Sequence, residues 1–564
     1  MSDKLGYVVL EVGGIQKYIL STGKLKEMIG GSELIESLSD NYLTDFANNN
    51  GLTVLDKIRK PEDNEILPLQ RNAGAMHLLF SCLEKGKEFL NKFGLQILKD
   101  FPGLPIFGAS EECEFDSLGI RNAKFELSNK ITDQRNKYPT STGMQLLPIC
   151  AEAPLDGEPA IGKVSYGNSS DRDEIISLSS KTRRIEKLLA ASRARLREIE
   201  PDDDEIGADL QWSDDLEEIA CGLGKVAFIH IDGNDLGKRF RQELVKVSKQ
   251  EEKENKEAQD GGKEINQEKR DKNTIRVINK MSTLSKTVKD TTASAFKKGL
   301  TECLKYAHFS DRKLVPARPL VLGGDDVTIV IRPDLALYFI DAFVKEFERY
   351  SNQAFIEQNK NNPKANRQDK LTVGVGMVVC PTGYPFLKAF DLSEELVKNS
   401  KELTAHMENR PSSMDYVVIT NDTENDLDSI RAHLFTSEDG LSLTAKPMLL
   451  KGDNLAKFVK DSISVSEKLP RSAVRSALNE CKKGKEAADK CYSKLKDNVE
   501  RGLGGRANQK LMGTEEFLRL FPEANGFFYK DKDDKTYKTK LGDYIELNHL
   551  LSVHLKDYKE YFNF

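Results

Sequence analysis

Two runs of apolar, β-forming residues flank the tetrapeptide Gly-Gly-Asp-Asp at 323–326, and no other feature of the chain constrains its fold as strongly. Glycine and aspartate between two such runs predict a tight hairpin turn, so 317–333 is interpreted as two antiparallel strands. An earlier apolar run at 225–232 ends in a carboxylate, and a buried strand is predicted at 370–380. The segments between these predicted strands have the apolar periodicity of helices. The order strand, helix, strand, strand, helix, strand predicts a ferredoxin-like unit in an α+β chain.

The carboxylates of this unit are expected to lie together. In a ferredoxin-like sheet the end of the first strand lies beside the hairpin turn, so Asp232 should approach Asp325 and Asp326. Clustered carboxylates repel each other unless a hard cation lies among them. Two divalent ions could then align a nucleotide triphosphate for attack by a 3′-hydroxyl. Gly323 and Gly324 allow a phosphate to approach the backbone closely. The alternative is an ordinary exposed turn.

The N-terminal half repeats the same order of elements. A strand enters a helix within 5–19, and 68–82 is a candidate hairpin. Its turn, Asn-Ala-Gly-Ala at 72–75, takes the place of Gly-Gly-Asp-Asp. A helix is predicted over 30–46, with Ser32 as its N-cap. We interpret the two halves as a duplication whose first copy has lost its carboxylates. Chance similarity between two common α+β units is the alternative.

Charge is unevenly distributed along the chain, although 84 basic and 90 acidic residues give a formal charge of only −6. Segment 180–199 predicts a basic amphipathic helix. Segment 446–510 is also strongly basic, and either segment could contact the phosphates of RNA. For 446–510, a solvated helical face is the alternative. Segment 246–273 mixes both charges with few aliphatic residues and is interpreted as a solvated insertion.

Several classes of protein are disfavoured by the composition. None of the eight cysteines forms a CxxC pair, which argues against a disulfide framework and a cysteine-rich zinc site. The sequence contains neither HExxH nor a His-Asp dipeptide. No apolar run approaches the roughly 18 residues of a membrane span, and the N-terminus lacks a signal-peptide pattern. We therefore expect a cytoplasmic protein that does not enter a membrane.

Several motifs resemble those of the large polymerase/cyclase subunit of type III CRISPR effector complexes, especially the type III-B form. The resemblance covers about 1–115 and 221–420. It is carried by GGIQKYI with GGSELI, FIHIDGNDLGKRF, LGGDDVTIV, YPFLKAFDLSEELVKNSKELTA and RPSSMDYVVI.

The resemblance implies an activity and a set of site residues. In that family two paired palm domains bind two ATP molecules, which the GGDD palm condenses into cyclic oligoadenylate, a second messenger of antiviral defence. Asp232, Asp325 and Asp326 would be catalytic and would hold two Mg²⁺ or Mn²⁺ ions. Guide and target RNA and protein subunits of an effector complex are the implied partners. Nucleotide contacts are implied for Gly233, Asn234, Asp235, Gly323, Gly324, Lys398, Lys401 and Ser32.

The sequence departs from the family pattern in three respects. It contains no His-Asp pair for the HD nuclease domain that the family commonly carries. Between the palms, 115–220 offers only Cys150, so a four-cysteine zinc module is excluded there. The family motif Asp-Gly-Asp-Asn here reads Asp-Gly-Asn-Asp, which moves the second carboxylate from position 234 to Asp235. Either a compact effector subunit or a stand-alone relative would fit these features.

Four domains are expected, with the two ferredoxin-like palms packed together. They are a first palm at 1–150, a helical charged linker region at 151–220, a second palm at 221–430 and a helical C-terminal domain at 431–564. Two other functions remain open. The chain could be a scaffold that binds RNA and protein subunits around a silent palm site. It could also be a cyclic-dinucleotide synthase, which would share the fold and the metal chemistry.

Overall fold

A computed structural model describes most residues of the chain. These are 4–72, 74–138, 150–165, 173–201, 206, 210–239, 241–242, 267–308, 313–358, 370–419, 426–502, 512–530, 537–551 and 555–564.

The N-terminal sheet has ferredoxin-like order with one additional short strand at its edge. Across the sheet the order is β2-β3-β4-β1-β5, and β1 is antiparallel to both of its neighbours. The predicted strand and hairpin are therefore confirmed, and β5 closes the sheet beside β1. The strands are β1 (Leu5–Val12), β2 (Thr53–Val54), β3 (Glu65–Asn72), β4 (Ala75–Phe80) and β5 (Ile106–Cys113).

Helices cover both faces of this sheet. Gly86 of α4 packs against Val8, whereas Leu127 of α5 joins the core cluster of Tyr7 and Val9 on the other face. Alternate residues of a strand point to opposite faces, so β1 is buried on both sides. The helices are α1 (Ile15–Leu20), α2 (Leu25–Ser37), α3 (Leu43–Asn49), α4 (Leu83–Asp100) and α5 (Ser117–Lys137).

The predicted N-cap at Ser32 is wrong. Helix α2 begins at Leu25, so Ser32 lies within it, and its N-cap position is held by Lys24. Gly30 and Gly31, which precede Ser32, allow close packing within the helix and do not mark its start. A Cβ atom added at Gly30 would lie 1.7 Å from the backbone oxygen of Arg183, so only glycine fits there.

The region predicted as a helical linker also contains a two-stranded sheet, which the sequence analysis did not anticipate. Strands β6 and β7 pair antiparallel, and two helices follow them. The elements are β6 (Ala160–Ser165), β7 (Asp173–Ser177), α6 (Leu178–Arg183), α7 (Glu186–Glu198), β8 (Gln211–Trp212) and α8 (Leu216–Ala220).

The second sheet has the same core order, followed by two further strands. Its order is β11-β12-β9-β13-β14-β15, in which β9 is antiparallel to β12 and β13, and β14 is parallel to β13. The α+β class and the ferredoxin-like order are confirmed. The strands are β9 (Lys225–Gly233), β11 (Ala317–Gly323), β12 (Asp326–Ile331), β13 (Val373–Pro381), β14 (Ser413–Val418) and β15 (Met448–Leu449), while β10 (Leu314–Val315) pairs with β8.

Three long helices belong to this part of the chain: α9 (Gln267–Lys305), α10 (Ala336–Gln358) and α11 (Phe386–Thr404). The apolar pattern of the sequence predicts a helix over 279–307, but α9 already begins at Gln267, because polar residues extend it beyond that pattern. Its residues Ile275 and Ile278 contact the core that also holds α5. Most of the predicted insertion 246–273 lies outside the described residues.

The C-terminal part is mainly helical, as predicted. Its helices are α12 (Leu427–Leu434), α13 (Asn454–Lys468), α14 (Arg471–Lys482), α15 (Lys485–Glu500), α16 (Thr514–Leu520), α17 (Leu541–Leu551) and α18 (Leu555–Tyr561), with short strands β16 (Tyr529–Lys530) and β17 (Tyr537–Lys538). No helix in the described part is both long and apolar enough to cross a membrane.

The chain divides into two compact units. One comprises Met1–Ile199, Asp235–Thr292 and Leu320–Asp325, and the other comprises Glu200–Asn234, Ala293–Pro319 and Asp326–Phe564. The four domain boundaries expected from the sequence stay a prediction.

Candidate active site

Two of the predicted carboxylates meet across β9 and β12. Val327 pairs with Ile231 in the antiparallel register, so the next pair along the two strands is Asp326 and Asp232. Residues directly opposite each other in a sheet point to the same face. The sheet therefore brings the side chains of Asp232 and Asp326 to one face, at the end of β9.

Asp325 lies in the two-residue turn between β11 and β12. Gly324, the other turn residue, has φ +59°, the left-handed conformation that two-residue hairpin turns require. The backbone oxygen of Gly324 lies 2.6 Å from the hydroxyl of Thr292 on α9. Thr292 is only 2% exposed whereas Gly324 is exposed, so this contact is buried on the side of the helix and open to water on the side of the turn. Sequence reasoning missed Thr292, because a helical threonine gives no sign of what its side chain touches.

Lys401 on α11 contacts Asp232 directly. Its Nζ lies 2.5 Å from Asp232 Oδ2 and 2.8 Å from the backbone oxygen of Gly233. Lys398, one turn earlier, is exposed and forms no ion pair within the described part of the chain. The structure thus brings one of the two predicted lysines to the carboxylates and leaves the other apart from them.

His230 lies on the same face as the carboxylates. Its Nδ1 is 3.1 Å from Thr328 Oγ1 and 3.4 Å from Asp326 Oδ1. Burial lowers the pKa of His230 below its usual 6.5, so the ring is mainly neutral at pH 7. The sequence analysis did not single out His230. Its position two residues before Asp232 in a strand would have placed it on this face.

Glu394 adds another carboxylate to this neighbourhood. Loss of hydration raises the pKa of Glu394, and the nearby charges of Asp326 and Asp232 raise it further against the opposing effect of His230. The sequence held a signal for this residue. Glu394 precedes Lys401 by seven positions, which is two turns of α11, so both lie on one helix face.

Asn234 and Asp235, whose order differs from the family motif, have different environments: Asn234 is buried and Asp235 is exposed. Asn234 is 8% exposed, and its Nδ2 donates to Thr372 Oγ1 at 3.0 Å. Its Oδ1 is buried and has no hydrogen-bond partner among the described residues. Asp235 is exposed and has φ +56°. The amide of Asn234 therefore occupies the interior position that the family motif gives to a carboxylate.

The donor set suits a hard cation. Asp232 and Asp326 offer oxygen ligands, which Mg²⁺ and Mn²⁺ prefer, and the orphaned Asn234 Oδ1 adds a further oxygen nearby in sequence. Within the described ranges, no three His, Cys, Asp or Glu side chains converge in a metal-binding arrangement. Mg²⁺ is usually held by only one or two carboxylates, and substrate phosphates and water complete its shell. The residues fit such a shared site, and the two-ion arrangement stays a prediction.

The N-terminal sheet retains one carboxylate at the corresponding position. Glu11 pairs with Ala75, the first residue after the hairpin turn, just as Asp232 aligns with Asp326. On its other side Glu11 pairs with Phe107, and its carboxylate binds Arg135 of α5 at 2.7 Å. The expectation that the first copy has lost its carboxylates is therefore wrong in one respect. A salt bridge, instead of an open carboxylate, occupies that position.

The basic segment 180–199 forms α6 and α7, but several of its arginines are neutralised within the chain. Arg184 forms an ion pair with the fully buried Glu27. Arg195 lies 2.9 Å from Glu33, also on α2. These contacts leave fewer cations for RNA than the sequence suggested.

Comparisons with known proteins bear on the second half of the chain. Residues 225–407 match the family model described as the second palm domain of Cas10/Cmr2. No curated protein matches the chain.

Solved structures similar to the chain include an apo Csm1–Csm4 cassette, with 12% identity, a TM-score of 0.40 and coverage of 71% of this chain and 53% of that one. The same cassette in complex with cA4 gives the same values. Csm1 from T. onnurineus has 13% identity and a TM-score of 0.40, covering 92% of this chain and 69% of that one. The chain thus spans about half the length of the cassette chain that it matches.

Proposed function

We propose that this chain, a Cas10-like protein with a Cas10/Cmr2 second palm at 225–407, is a metal-dependent nucleotidyl cyclase that converts ATP into cyclic oligoadenylate within a CRISPR-type antiviral system. The pairing of β9 with β12 carries the proposal, because it aligns Asp232 with Asp326 beside the glycine turn. A solved Csm1–Csm4 cassette contains cA4, and another contains ATP. The ligands in these two solved structures make ATP the first substrate to test.

The residues of the second palm have separable tasks in this reaction. Asp232 and Asp326, with Asp325 in the turn, would hold Mg²⁺ or Mn²⁺. The bound ions supply charge that stabilises the phosphoryl-transfer transition state and activates the attacking hydroxyl. Lys401 provides a positive charge for a triphosphate, and Gly324 keeps the turn free of a side chain. The neutral His230 ring lies 3.4 Å from Asp326 Oδ1 and adds no charge beside it.

Consumption of ATP tests the proposal. The purified chain is incubated with ATP and Mg²⁺ or Mn²⁺, and loss of ATP is followed beside the double variant Asp325→Ala with Asp326→Ala. We expect metal-dependent consumption that the double variant lacks, since two of the carboxylates for the ions are gone. The exposed Asp391→Ala variant, which removes a carboxylate on α11 beside Glu394, is the matched control. Equal activity of wild type and double variant would reject the proposal.

A scaffold function that binds RNA is supported by one specific observation. Arg471, Arg475 and Lys482 lie along one side of α14, and none has a carboxylate within ion-pair distance in the described part of the chain. Counterion release predicts a steep fall of RNA affinity with salt if these cations contact phosphates. Replacing Arg471 and Arg475 with glutamine should lower the slope of log affinity against log salt by roughly two. An unchanged slope would exclude this face of α14.

A cyclic-dinucleotide synthase would share the carboxylates and the turn. Such enzymes join two identical catalytic domains, whereas this chain carries two unlike ferredoxin-like sheets. Activity that remains proportional to protein concentration at high dilution would favour the proposed cyclase. A second-order dependence on protein concentration would favour the synthase. Guide RNA, target RNA and effector-complex subunits remain proposed partners.

A further inference from the structure

Two contacts fix the ammonium group of Lys401 beside Asp232, whereas a simple surface ion pair has only one. Its Nζ reaches both a carboxylate oxygen of Asp232 and the backbone oxygen of Gly233. The lysine side chain is 17% exposed, while that of Asp232 is 40% exposed. The ammonium group is therefore positioned by the protein, and the carboxylate that it neutralises remains open to solvent on its other side.

Gly374 makes this contact possible. It pairs with Asp232 in the register of β13 and β9, so it lies directly beside the carboxylate. A Cβ atom added at Gly374 would lie 2.8 Å from Lys401 Cγ and 3.1 Å from its Cε. The aliphatic part of the lysine thus runs over a strand position that has no side chain.

The N-terminal sheet repeats the pairing in a different form. Glu11 is bound by Arg135, a cation from the helix that follows the closing strand, as Lys401 follows β13. Phe107 stands where the second sheet has Gly374, so a ring fills the space that the lysine stem uses. In both sheets the carboxylate at the end of the first strand has its own cation.

We propose that Lys401 is a resident counter-cation of Asp232 that competes with a divalent metal ion for this carboxylate and thereby makes metal binding depend on nucleotide. An ammonium and a metal ion repel each other at one carboxylate, so free metal binds weakly. A triphosphate offers the ammonium another anionic partner and so releases Asp232. Metal and nucleotide then strengthen each other's binding by the same factor. Gly374 is a positioning residue for Lys401. This inference rests on the proposed function.

Binding of Mn²⁺ in the absence of nucleotide tests the competition, with free Mn²⁺ followed by electron paramagnetic resonance. We expect Lys401→Met to bind Mn²⁺ about tenfold more tightly than wild type. This factor is small for two charges in contact, because both groups are partly exposed and water weakens their interaction. Lys398→Met removes the same charge one turn away and should change the affinity by less than about twofold. Gly374→Ala should act in the same direction as Lys401→Met. A non-hydrolysable ATP analogue should tighten Mn²⁺ binding in wild type and much less in Lys401→Met.

Each alternative outcome has a distinct meaning. If wild type binds Mn²⁺ measurably and Lys401→Met binds it equally or more weakly, the competition is overturned while the metal site stands. If Lys398→Met gains as much affinity as Lys401→Met, a general field effect explains the gain and the specific role of Lys401 is overturned. If none of the variants binds Mn²⁺ with or without the analogue, both the competition and the metal dependence of the proposed function are overturned. Circular dichroism of each variant identifies any that failed to fold.

Discussion

Replacing Thr292 with valine should loosen the turn that carries Asp325, while keeping the size of the side chain. The hydroxyl of Thr292 lies 2.6 Å from the backbone oxygen of Gly324 and 3.0 Å from that of Val288. The oxygen of Val288 already accepts a hydrogen bond within α9. The bond to Gly324 is therefore the contact that the substitution removes and that the helix cannot replace.

The expected effect is modest and can be worked from burial. A hydrogen bond contributes a net ~0.5–1.5 kcal/mol to stability, and a buried acceptor left unpaired costs ~1–3 kcal/mol. Gly324 itself is exposed, so water can replace the lost hydroxyl, and the lower range applies. We take about 1 kcal/mol, which is roughly a fivefold change in the equilibrium for local opening of the turn.

Hydrogen exchange of the backbone amides at 322–327 measures this opening. We expect exchange roughly fivefold faster in Thr292→Val than in wild type, and restoration by Thr292→Ser. Thr291→Val is the matched control, because Thr291 is fully buried and its hydroxyl bonds only to Thr287 within the same helix, at 2.6 Å. Equal exchange rates in the two valine variants would refute the role assigned to Thr292.

Three further predictions concern stability. Gly376→Ala would place a Cβ atom 2.2 Å from a backbone oxygen of α11 and should cost several kcal/mol in chemical denaturation, unlike Gly383→Ala, whose surroundings are open. Burial lowers the pKa of His77 to about 3, below the usual 6.5 of the unfolded chain. The free energy of unfolding is therefore highest above pH 6.5 and falls as the pH is lowered. Between pH 6.5 and 5, His77→Gln should lose about 1–2 kcal/mol less of this free energy than wild type. Arg184→Ala removes the ion-pair partner of the fully buried Glu27 and should lower the free energy of unfolding by about 3 kcal/mol in the same denaturation experiment. Arg193→Ala breaks an exposed ion pair and should lower it by less than about 1 kcal/mol.

The order of the strands could be predicted from the sequence, because each core strand is an apolar run bounded by turn residues. The hairpin at 323–326 was predictable for the same reason. The glycine pair before Ser32 misled the analysis, since glycine marks both helix ends and sites of close packing. Only the fold shows that Gly30 faces the backbone of Arg183. The early start of α9 was missed because polar helical residues lack an apolar period.

The aspartates of the candidate site were predictable, since the ferredoxin-like order alone brings Asp232 and Asp326 into register. Which lysine reaches them was not predictable. Lys398 and Lys401 share a helix face, and only the packing of α11 over Gly374 selects Lys401. Contacts between side chains of distant elements leave no pattern in a single sequence. The pairing of Glu11 with Arg135, 124 positions apart, was hidden for the same reason.

The most direct test of the account identifies the product by mass spectrometry. Purified protein is incubated with all four nucleoside triphosphates and Mg²⁺ or Mn²⁺, beside the double variant Asp325→Ala with Asp326→Ala. The account predicts a cyclic oligonucleotide built from adenylate units in the wild-type sample alone, and its mass gives the ring size. The same product from the double variant, or only linear or non-adenylate products from wild type, would contradict it.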